Sequence, residues 1–295
     1  MSGSTDAGAD VTHSGAQAAD ITGAGARLTC LQGFLPAGGR QLEYRHWRQQ
    51  HSRGATLVLL HEGLGSVAMW KAFPERLAAH TGCSVVAYSR AGYGRSDKTD
   101  LPRTPGYMHP EALEVLPAVL DFLNALEVVV IGHSDGASIA LIHAGGVRDP
   151  RVKALAVMAP HVFIEHLCVE QIARARDAYE AGDLRSRLAK YHADVDHVFW
   201  GWNDIWLQPE FLAWNIEAYL PDIRVPVLVI QGEQDEYGTL AQVYAVRDQV
   251  CGGADTLILP DCGHSPHRDR SAATLEGLDW FLRAQRLADR NLNAG

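Results

Sequence analysis

Cysteine is scarce in this sequence and follows no metal-binding or disulfide pattern. No two of the five cysteines stand in CxxC spacing; they are Cys30, Cys83, Cys168, Cys251 and Cys262. An odd number of scattered cysteines indicates neither a disulfide framework nor a structural zinc site. We therefore predict free thiols, a cytoplasmic protein and no metal centre.

Basic runs and long apolar runs are missing as well. The 26 Lys and Arg residues are scattered, and the formal net charge is -9, which argues against a nucleic-acid surface or a polybasic membrane patch. No apolar run approaches the roughly 20 residues of a membrane-spanning helix. Residues 1–25 are rich in Gly, Ala, Ser and Asp, lack the pattern of a signal peptide, and are predicted to be a disordered tail. A small-molecule substrate is the class of partner that remains.

Short apolar runs alternate with helix-length segments from about residue 27 onward. Two of these runs are "VVVIGH" at 128–133 and "VPVLVIQG" at 225–232. Continuous apolar runs are typical of strands that are buried on both faces. The alternation therefore predicts a mostly parallel sheet that is covered by helices on both sides.

One connection between predicted strands is too long for a simple crossover. Residues 160–224 far exceed the dozen or so residues that a helical crossover needs. The segment is helical in character and carries four of the seven tryptophans: Trp200, Trp202, Trp206 and Trp214. We predict an inserted lid over a pocket, with the alternative that each ring only packs the insertion against the sheet.

The segment "VVVIGHSDGASIAL" at 128–141 changes from a strand pattern to a helix pattern at a serine. Gly132 and Gly136 flank Ser134, and glycines at these positions allow a tight turn and a close approach of the helix. The GxSxG pattern between a buried strand and a helix predicts a nucleophile elbow that exposes the Ser134 hydroxyl.

An acid and a base follow in the order that such a nucleophile requires. Asp235 comes just after the strand-like run at 225–232, and His264 follows the next run. The carboxyl ends of parallel strands share one edge of a sheet, so Ser134, Asp235 and His264 are predicted to meet there as a catalytic triad. Glu233 is an alternative acid, and His267 is an alternative base.

The loop "HEGLGS" at 61–66 follows another buried strand and contains two glycines. We predict that it forms one side of an oxyanion hole, with the amide of Leu64 as donor and Gly63 as the alternative. The amide of Asp135, directly after the nucleophile, is the second predicted donor. The loop lacks the second histidine of a zinc HExxH motif, so a metalloprotease is excluded.

With these motifs the chain resembles the α/β-hydrolase family over about residues 27–287. The resemblance implies an α/β-hydrolase fold with a mostly parallel eight-stranded sheet, flanking helices and an inserted helical cap. The core would comprise residues 26–160 and 221–290, and the cap would comprise residues 161–220. The segment "YSRAGYGRSD" at 88–97 also resembles a family loop, although Ser89 stands where many members carry Asp. This difference puts one structural hydrogen bond in doubt.

Asp135 raises the question of the substrate. The stretch "GHSDGAS" is similar to that of biphenyl-hydrolase-like esterases, and the resemblance implies that this acidic side chain receives substrates with an amine. The alternative is that the Asp135 side chain binds loop amides. A buried carboxylate without a partner would be destabilising.

The sequence as a whole predicts a serine hydrolase that cleaves a carboxylic ester or thioester of a small molecule through an acyl-enzyme, without a cofactor. The predicted substrate contacts are Asp135, His161, Phe163, Trp200, Trp202 and Trp206. Two alternatives stay open: a C–C hydrolase or perhydrolase that uses the same triad, and a ligand-binding protein without activity. A homodimer is suggested by analogy with the family alone.

Overall fold

The computed structural model describes residues 17–21, 28–50, 52 and 54–288. Nine strands form one sheet. They are β1 (Gln17–Ile21), β2 (Leu28–Ala37), β3 (Arg40–Gln49), β4 (Thr56–Leu60), β5 (Val85–Tyr88), β6 (Val128–His133), β7 (Val152–Met158), β8 (Val227–Gly232) and β9 (Ala254–Leu259). Their spatial order is β1-β2-β3-β5-β4-β6-β7-β8-β9.

The sheet is antiparallel at one end and parallel over the rest. Strands β1, β2 and β3 pair antiparallel, as does β3 with β5, whereas β4 to β9 pair in parallel with one another. The predicted mostly parallel sheet of eight strands is thus confirmed by β2 to β9. Strand β1 is a ninth strand at the edge, within the segment 1–25 that was predicted to be a tail without structure. The rest of that segment lies outside the described residues.

Helices cover both faces of the sheet because the buried strands alternate their side chains between two apolar layers. Leu57 and Leu59 of β4 belong to one layer, and Val58 and Leu60 belong to the other. The helices are α1 (Phe73–Thr81), α2 (Met108–Pro110), α3 (Leu116–Leu123), α4 (Asp135–Gly146), α5 (His166–Glu180), α6 (Leu184–Leu188), α7 (Val195–Trp206), α8 (Leu240–Gln249), α9 (Pro266–Asp269) and α10 (Ser271–Ala284). A π-helical turn at Glu111–Val115 joins α2 to α3, and 3-10 helices lie at Val67–Trp70, Pro209–Ala213 and Glu217–Asp222.

Helix α4 lies at the centre of the molecule and starts at the predicted elbow. Its residues from Asp135 to Gly145 are all buried, as expected for a helix that is largely apolar around its circumference. Gly145 lets the 3-10 helix at Glu217–Asp222 approach closely, because an added Cβ there would lie 2.3 Å from the carbonyl oxygen of Tyr219. The helix start is therefore held in place by packing on several sides.

The long connection between β7 and β8 holds α5, α6, α7 and two of the 3-10 helices. Three of its tryptophans, Trp202, Trp206 and Trp214, are buried in the same apolar cluster as one face of the sheet. These three rings therefore pack the insertion against the core. Among the described residues, no helix combines the length and the apolar character that crossing a bilayer would need.

Candidate active site

Ser134 occupies a strained turn between β6 and α4. Its φ of 53° and ψ of -116° lie in a region that non-glycine residues rarely adopt. The two flanking glycines are required by space: a Cβ on Gly132 would lie 2.3 Å from the Gly136 carbonyl oxygen, and one on Gly136 would lie 2.1 Å from the Leu60 carbonyl oxygen. The sequence therefore folds into a sharp corner that presents the Ser134 hydroxyl at the edge of the sheet.

The side chains of Ser134, His264 and Asp235 form a continuous hydrogen-bonded chain. His264 Nε2 lies 2.9 Å from Ser134 Oγ, and His264 Nδ1 lies 2.8 Å from Asp235 Oδ1. Residues 130 positions apart along the chain are brought together because each follows a strand of the parallel part of the sheet. This arrangement can move a proton from the hydroxyl to the imidazole while the carboxylate orients the ring.

The Asp235 carboxylate also accepts hydrogen bonds from groups other than His264. Its carboxylate accepts hydrogen bonds from Gln231 Nε2 at 2.7 Å, from the Tyr237 amide at 2.8 Å and from the Gly238 amide at 3.3 Å. Burial would raise the pKa of Asp235, but the charge of His264 and the hydrogen bonds outweigh it and lower the pKa. Glu233, the alternative acid in the sequence, is exposed.

His264 is likewise fixed at its backbone and at its ring. Burial would lower the pKa of His264, but the charge of Asp235 and the hydrogen bond between them outweigh burial and raise it. His267, the alternative base, is instead buried against Trp70 and Phe73, with ring centroids 4.8 Å and 5.4 Å away. Burial keeps the pKa of His267 well below its usual value.

The loop at 61–66 has one rigid peptide next to the nucleophile. The Glu62 carbonyl accepts three hydrogen bonds, from His61 Nδ1 at 2.7 Å, from the Gly65 amide at 3.0 Å and from Arg90 Nη2 at 3.0 Å. A trans peptide points its N–H opposite to its carbonyl, so these bonds also fix the direction of the Gly63 N–H. Asp135 begins α4, and its N–H therefore has no acceptor within the helix.

Ser89, where the family pattern often has an aspartate, keeps its hydrogen bonds. Its hydroxyl accepts from the Val67 amide at 2.9 Å and donates to Glu43 Oε2 at 3.0 Å. The carboxylate that the family loop usually supplies at this position is provided here by Glu43 of β3. The 3-10 helix that follows the 61–66 loop is therefore still anchored.

A cavity of about 180 Å³ opens beside the Ser134 hydroxyl. Its lining residues are Glu62, Gly63, Leu64, His133, Ser134, Asp135, His161, Cys168, Ile172, Trp202, Trp206, Glu236, Tyr237, His264 and Ser265. The insertion contributes the apolar side of this lining through α5 and α7. None of the described lining residues is Lys or Arg.

Two predicted substrate contacts, Trp200 and Phe163, are absent from this lining, which corrects the sequence analysis. Trp202 and Trp206 are four residues apart on α7 and share one face, whereas Trp200 is two residues from Trp202 and faces away. Its ring packs edge-on against Tyr179 and Phe199. Phe163 is held in a bridge with Asn215, and its carbonyl accepts from Gln242.

His161 does line the cavity, as predicted. Its ring lies between Trp206 and His264, with centroid distances of 5.4 Å and 5.6 Å. Burial, with the charge of His264, lowers the pKa of His161 to about 4, so the ring is neutral near pH 7. It forms a polar but uncharged part of the wall opposite the nucleophile.

The two carboxylate oxygens of Asp135 have different surroundings. Oδ2 accepts a hydrogen bond from the Tyr107 hydroxyl at 2.7 Å and faces Arg90, whose two terminal nitrogens lie 3.4 Å away. Oδ1 is buried and has no hydrogen-bond partner among the described residues. A Cβ added to Gly63 would lie 3.2 Å from this oxygen, so Oδ1 adjoins the 61–66 loop at the cavity. Neither Arg90 nor Tyr107 was identified from the sequence, and the binding of loop amides by Asp135 is not observed.

Several lining residues were also missed by sequence analysis. Cys168 and Ile172 project from α5, one helical turn apart, and Tyr237 and Glu236 follow Asp235 directly. Only the last two carried a usable signal, since they lie beside the predicted acid. Among the described residues, no cluster of His, Cys, Asp and Glu side chains could hold a metal ion.

Ser134 lies in a strained turn, and its hydroxyl is linked by hydrogen bonds through an imidazole to a buried carboxylate at one edge of a parallel sheet. These features are typical of hydrolases with an α/β fold. A model of the alpha/beta hydrolase family matches residues 57–276, and the chain belongs to this family. It is therefore an enzyme of the hydrolase class.

Relatives with curated names are proline iminopeptidases. The chain is 32% identical to that of Lactiplantibacillus plantarum over 123 residues, which span 41% of this chain and 42% of that protein, less than half of its length. It is 23% identical to that of Lactobacillus delbrueckii subsp. bulgaricus over 288 residues, with 84% of this chain and 97% of that protein covered.

Solved structures confirm the fold. The 2-hydroxy-6-oxo-6-phenylhexa-2,4-dienoate hydrolase of Rhodococcus sp. strain RHA1 matches with a TM-score of 0.71 at 17% identity, over 87% of this chain and 99% of that chain. The enol-lactonase of Burkholderia xenovorans LB400 matches with a TM-score of 0.67 at 22% identity, over 85% and 100%. At such identities the likeness concerns the fold alone.

Proposed function

We propose that the protein is a serine hydrolase that cleaves a carboxylic ester of a small molecule through an acyl-enzyme at Ser134. The observation that carries this proposal is the hydrogen-bonded chain from Ser134 Oγ through His264 to Asp235. His264 accepts the proton of Ser134 as the hydroxyl attacks the carbonyl carbon, and returns it to the leaving alcohol. Water activated by His264 then releases the acid.

Two backbone amides would stabilise the oxyanion of the tetrahedral intermediate. One is the amide of Asp135 at the start of α4. For the other, the fixed carbonyl of Glu62 favours Gly63, the alternative in the sequence analysis, over Leu64, because that carbonyl sets the direction of the Gly63 N–H. Both candidates lie in the cavity lining.

The lining of the cavity supports a small acyl group with an amine. A volume of about 180 Å³ is below the usual range for drug-sized ligands, and Trp202 and Trp206 supply an apolar wall. The unpartnered Oδ1 of Asp135 is an acceptor for an N–H donor of the substrate, while Arg90 compensates the charge on the other oxygen. An ester or thioester whose acyl part bears an amine fits these features.

The same lining disfavours the C–C hydrolase alternative. A dienoate such as the one named for the Rhodococcus hydrolase carries a carboxylate. No described residue of the cavity lining is a Lys or Arg that could bind such a group, and the exposed carboxylate of Glu236 would repel it. We expect anionic substrates to react poorly.

Asp135→Asn is expected to lower kcat/KM selectively for esters with an amine. A hydrogen bond to a charged group contributes about 1.5–3 kcal/mol, so the loss for an amine-bearing p-nitrophenyl ester should be roughly tenfold to a hundredfold. The matched neutral ester should change by less than about threefold. The amide keeps the shape of the side chain and can still accept from Tyr107. An equal loss on both esters would refute a role of Asp135 in binding the amine.

A second candidate activity is the removal of an N-terminal residue from a peptide. The full-length alignment with proline iminopeptidases favours it, and such a substrate also carries an amine next to the cleaved carbonyl. Prolyl and other aminoacyl p-nitroanilides, tested beside the corresponding esters, separate the two activities. Turnover of the esters alone would support the esterase, and comparable kcat/KM on the anilides would support the peptidase.

The pH dependence of the reaction should follow His264. Only the neutral imidazole can accept the Ser134 proton, and its pKa is raised above the usual 6.5 by Asp235. We therefore expect kcat/KM for a neutral ester to rise with pH through a midpoint above 6.5 and to fall on acidification. A pH profile measured between about 5 and 9 checks this. A midpoint below 6.5 would contradict the assignment of His264 as the base.

A further inference from the structure

A second histidine, which is buried, and a second carboxylate, which is partly exposed, lie beside the triad. His133 precedes Ser134, and its Nε2 lies 2.7 Å from the backbone carbonyl oxygen of His264. Its Nδ1 lies 3.5 Å from Glu62 Oε2, within ion-pair distance, but has no hydrogen-bond partner among the described residues. The His133 side chain is only 1% exposed, so water does not supply a partner from the surface.

The oxygen atoms beside the two ring nitrogens of His133 determine which of these nitrogens carries a proton. A carbonyl oxygen can only accept, so His133 Nε2 carries a proton and donates it to the His264 carbonyl. In a neutral ring, Nδ1 would then present a lone pair toward the Glu62 carboxylate, and two acceptors would face each other. Rotating the ring by 180° would place carbons at both contacts and lose both interactions. One additional proton between Nδ1 and Oε2 removes the conflict.

We propose that Glu62 and His133 hold one proton between them near pH 7, and that this pair positions His264 for the reaction. The positioning part rests on the proposed function, whereas the shared proton does not. Glu62 belongs to the 61–66 loop, His133 adjoins the nucleophile, and His264 is the base. These contacts thus link the 61–66 loop, the nucleophile elbow and the backbone of His264.

The surroundings of the pair agree with a charge on Glu62. Burial would raise the pKa of Glu62, but the close approach and the charge of His133 outweigh burial and hold the pKa well below its usual value. The other titratable groups around the pair include His61, His192, His264, His267 and Glu236. Burial keeps the pKa values of His61 and His267 well below the usual value, so these rings do not compete for the proton.

The backbone of His264 is anchored from two sides. Its carbonyl accepts from His133, and its N–H donates to Glu236 Oε2 at 3.1 Å. A neutral His133 that turned away from Glu62 would release the carbonyl and let the imidazole shift relative to Ser134 Oγ. A displacement of about 1 Å at a reacting group can cost on the order of a hundredfold in rate, so this anchor affects kcat rather than substrate binding.

Nuclear magnetic resonance of the intact protein with 15N-labelled histidine rings tests the shared proton directly. At pH 7 we expect the His133 ring to carry protons on both nitrogens. Its signals should disappear in His133→Gln, which assigns them. In Glu62→Gln the side-chain amide can donate to Nδ1, so the same ring should become neutral with the proton on Nε2. A wild-type spectrum in which the His133 ring carries a single proton would overturn the proposal, whatever the variants do.

Kinetics with a neutral p-nitrophenyl ester test the positioning role. Glu62→Gln is expected to lower kcat about tenfold and to change KM by less than about threefold. Glu276→Gln, an exposed carboxylate of α10, serves as the matched control and should leave both constants unchanged. An unchanged kcat in Glu62→Gln, together with a confirmed shared proton, would reject the positioning role and leave the proton itself. Absence of turnover in the wild type would instead count against the proposed function.

Discussion

Ser134→Ala is expected to reduce kcat/KM for p-nitrophenyl esters by roughly a millionfold, the scale observed when the nucleophile of a serine hydrolase is removed. Alanine has no hydroxyl to attack the carbonyl, and His264 then has no proton to accept. The residual rate would come from binding and from the oxyanion amides alone. Stopped-flow or steady-state measurement of p-nitrophenol release provides the test.

Covalent labelling with a fluorophosphonate probe tests the same nucleophile directly. The wild type should be labelled at Ser134, and Ser134→Ala should not be labelled. Ser186→Ala, which removes an exposed hydroxyl on α6, is the matched control and should retain labelling and turnover. Turnover retained in Ser134→Ala would eliminate the proposed nucleophile. A wild type that neither reacts with the probe nor turns over any ester would favour the alternative of a ligand-binding protein.

The site residues at the strand ends could be predicted from the sequence because their position follows from the topology of the sheet. In a parallel sheet every strand ends at the same edge, so polar residues that follow buried apolar runs converge there without any knowledge of loop conformations. Ser134 directly follows β6, whereas Asp235 and His264 lie in the loops just after β8 and β9. The choices between Asp235 and Glu233 and between His264 and His267 needed coordinates, since a shift of two or three residues in a loop determines which side chain points inward.

The insertion could be predicted in outline but not in its contacts. Its length and tryptophan content identified it, whereas the pocket contacts depend on helix phase. Trp200, Trp202 and Trp206 were all predicted from the sequence to contact the substrate. On a helix, however, only the pair separated by four residues shares a face, and knowledge that α7 is one continuous helix would have been enough to exclude Trp200.

Long-range polar partners lie beyond what local patterns reveal. The Oδ2 atom of Asp135 is bound by Arg90 and Tyr107, which come from the segment after β5. Nothing in their local sequence marks them as neighbours of the elbow. The buried Arg90 also affects which substrate is expected, because it compensates the charge of Asp135. Binding of a substrate amine then depends on Oδ1 of Asp135, which has no partner among the described residues.

Asp235→Asn is the second change with a very large expected effect, a fall in kcat of roughly ten-thousandfold. The carboxylate accepts the Nδ1 proton of His264 and so keeps a lone pair on Nε2 for Ser134. An asparagine amide that donates to Nδ1 would move the ring proton to Nε2, and the base would face the nucleophile with a donor. Because the tautomer is wrong and the ring remains in place, KM should change far less than kcat.

The hydrogen bonds to Asp235 allow this substitution to be tested without loss of the fold. Gln231 and the amides of Tyr237 and Gly238 hold the side chain in position, and an asparagine oxygen can still accept from the two amides. Glu233→Gln, an exposed carboxylate two residues earlier, is the matched control and should keep full activity. If the losses were reversed between these two variants, Glu233 would be the acid. A loss below about tenfold in both would mean that the imidazole is oriented by a group other than either carboxylate.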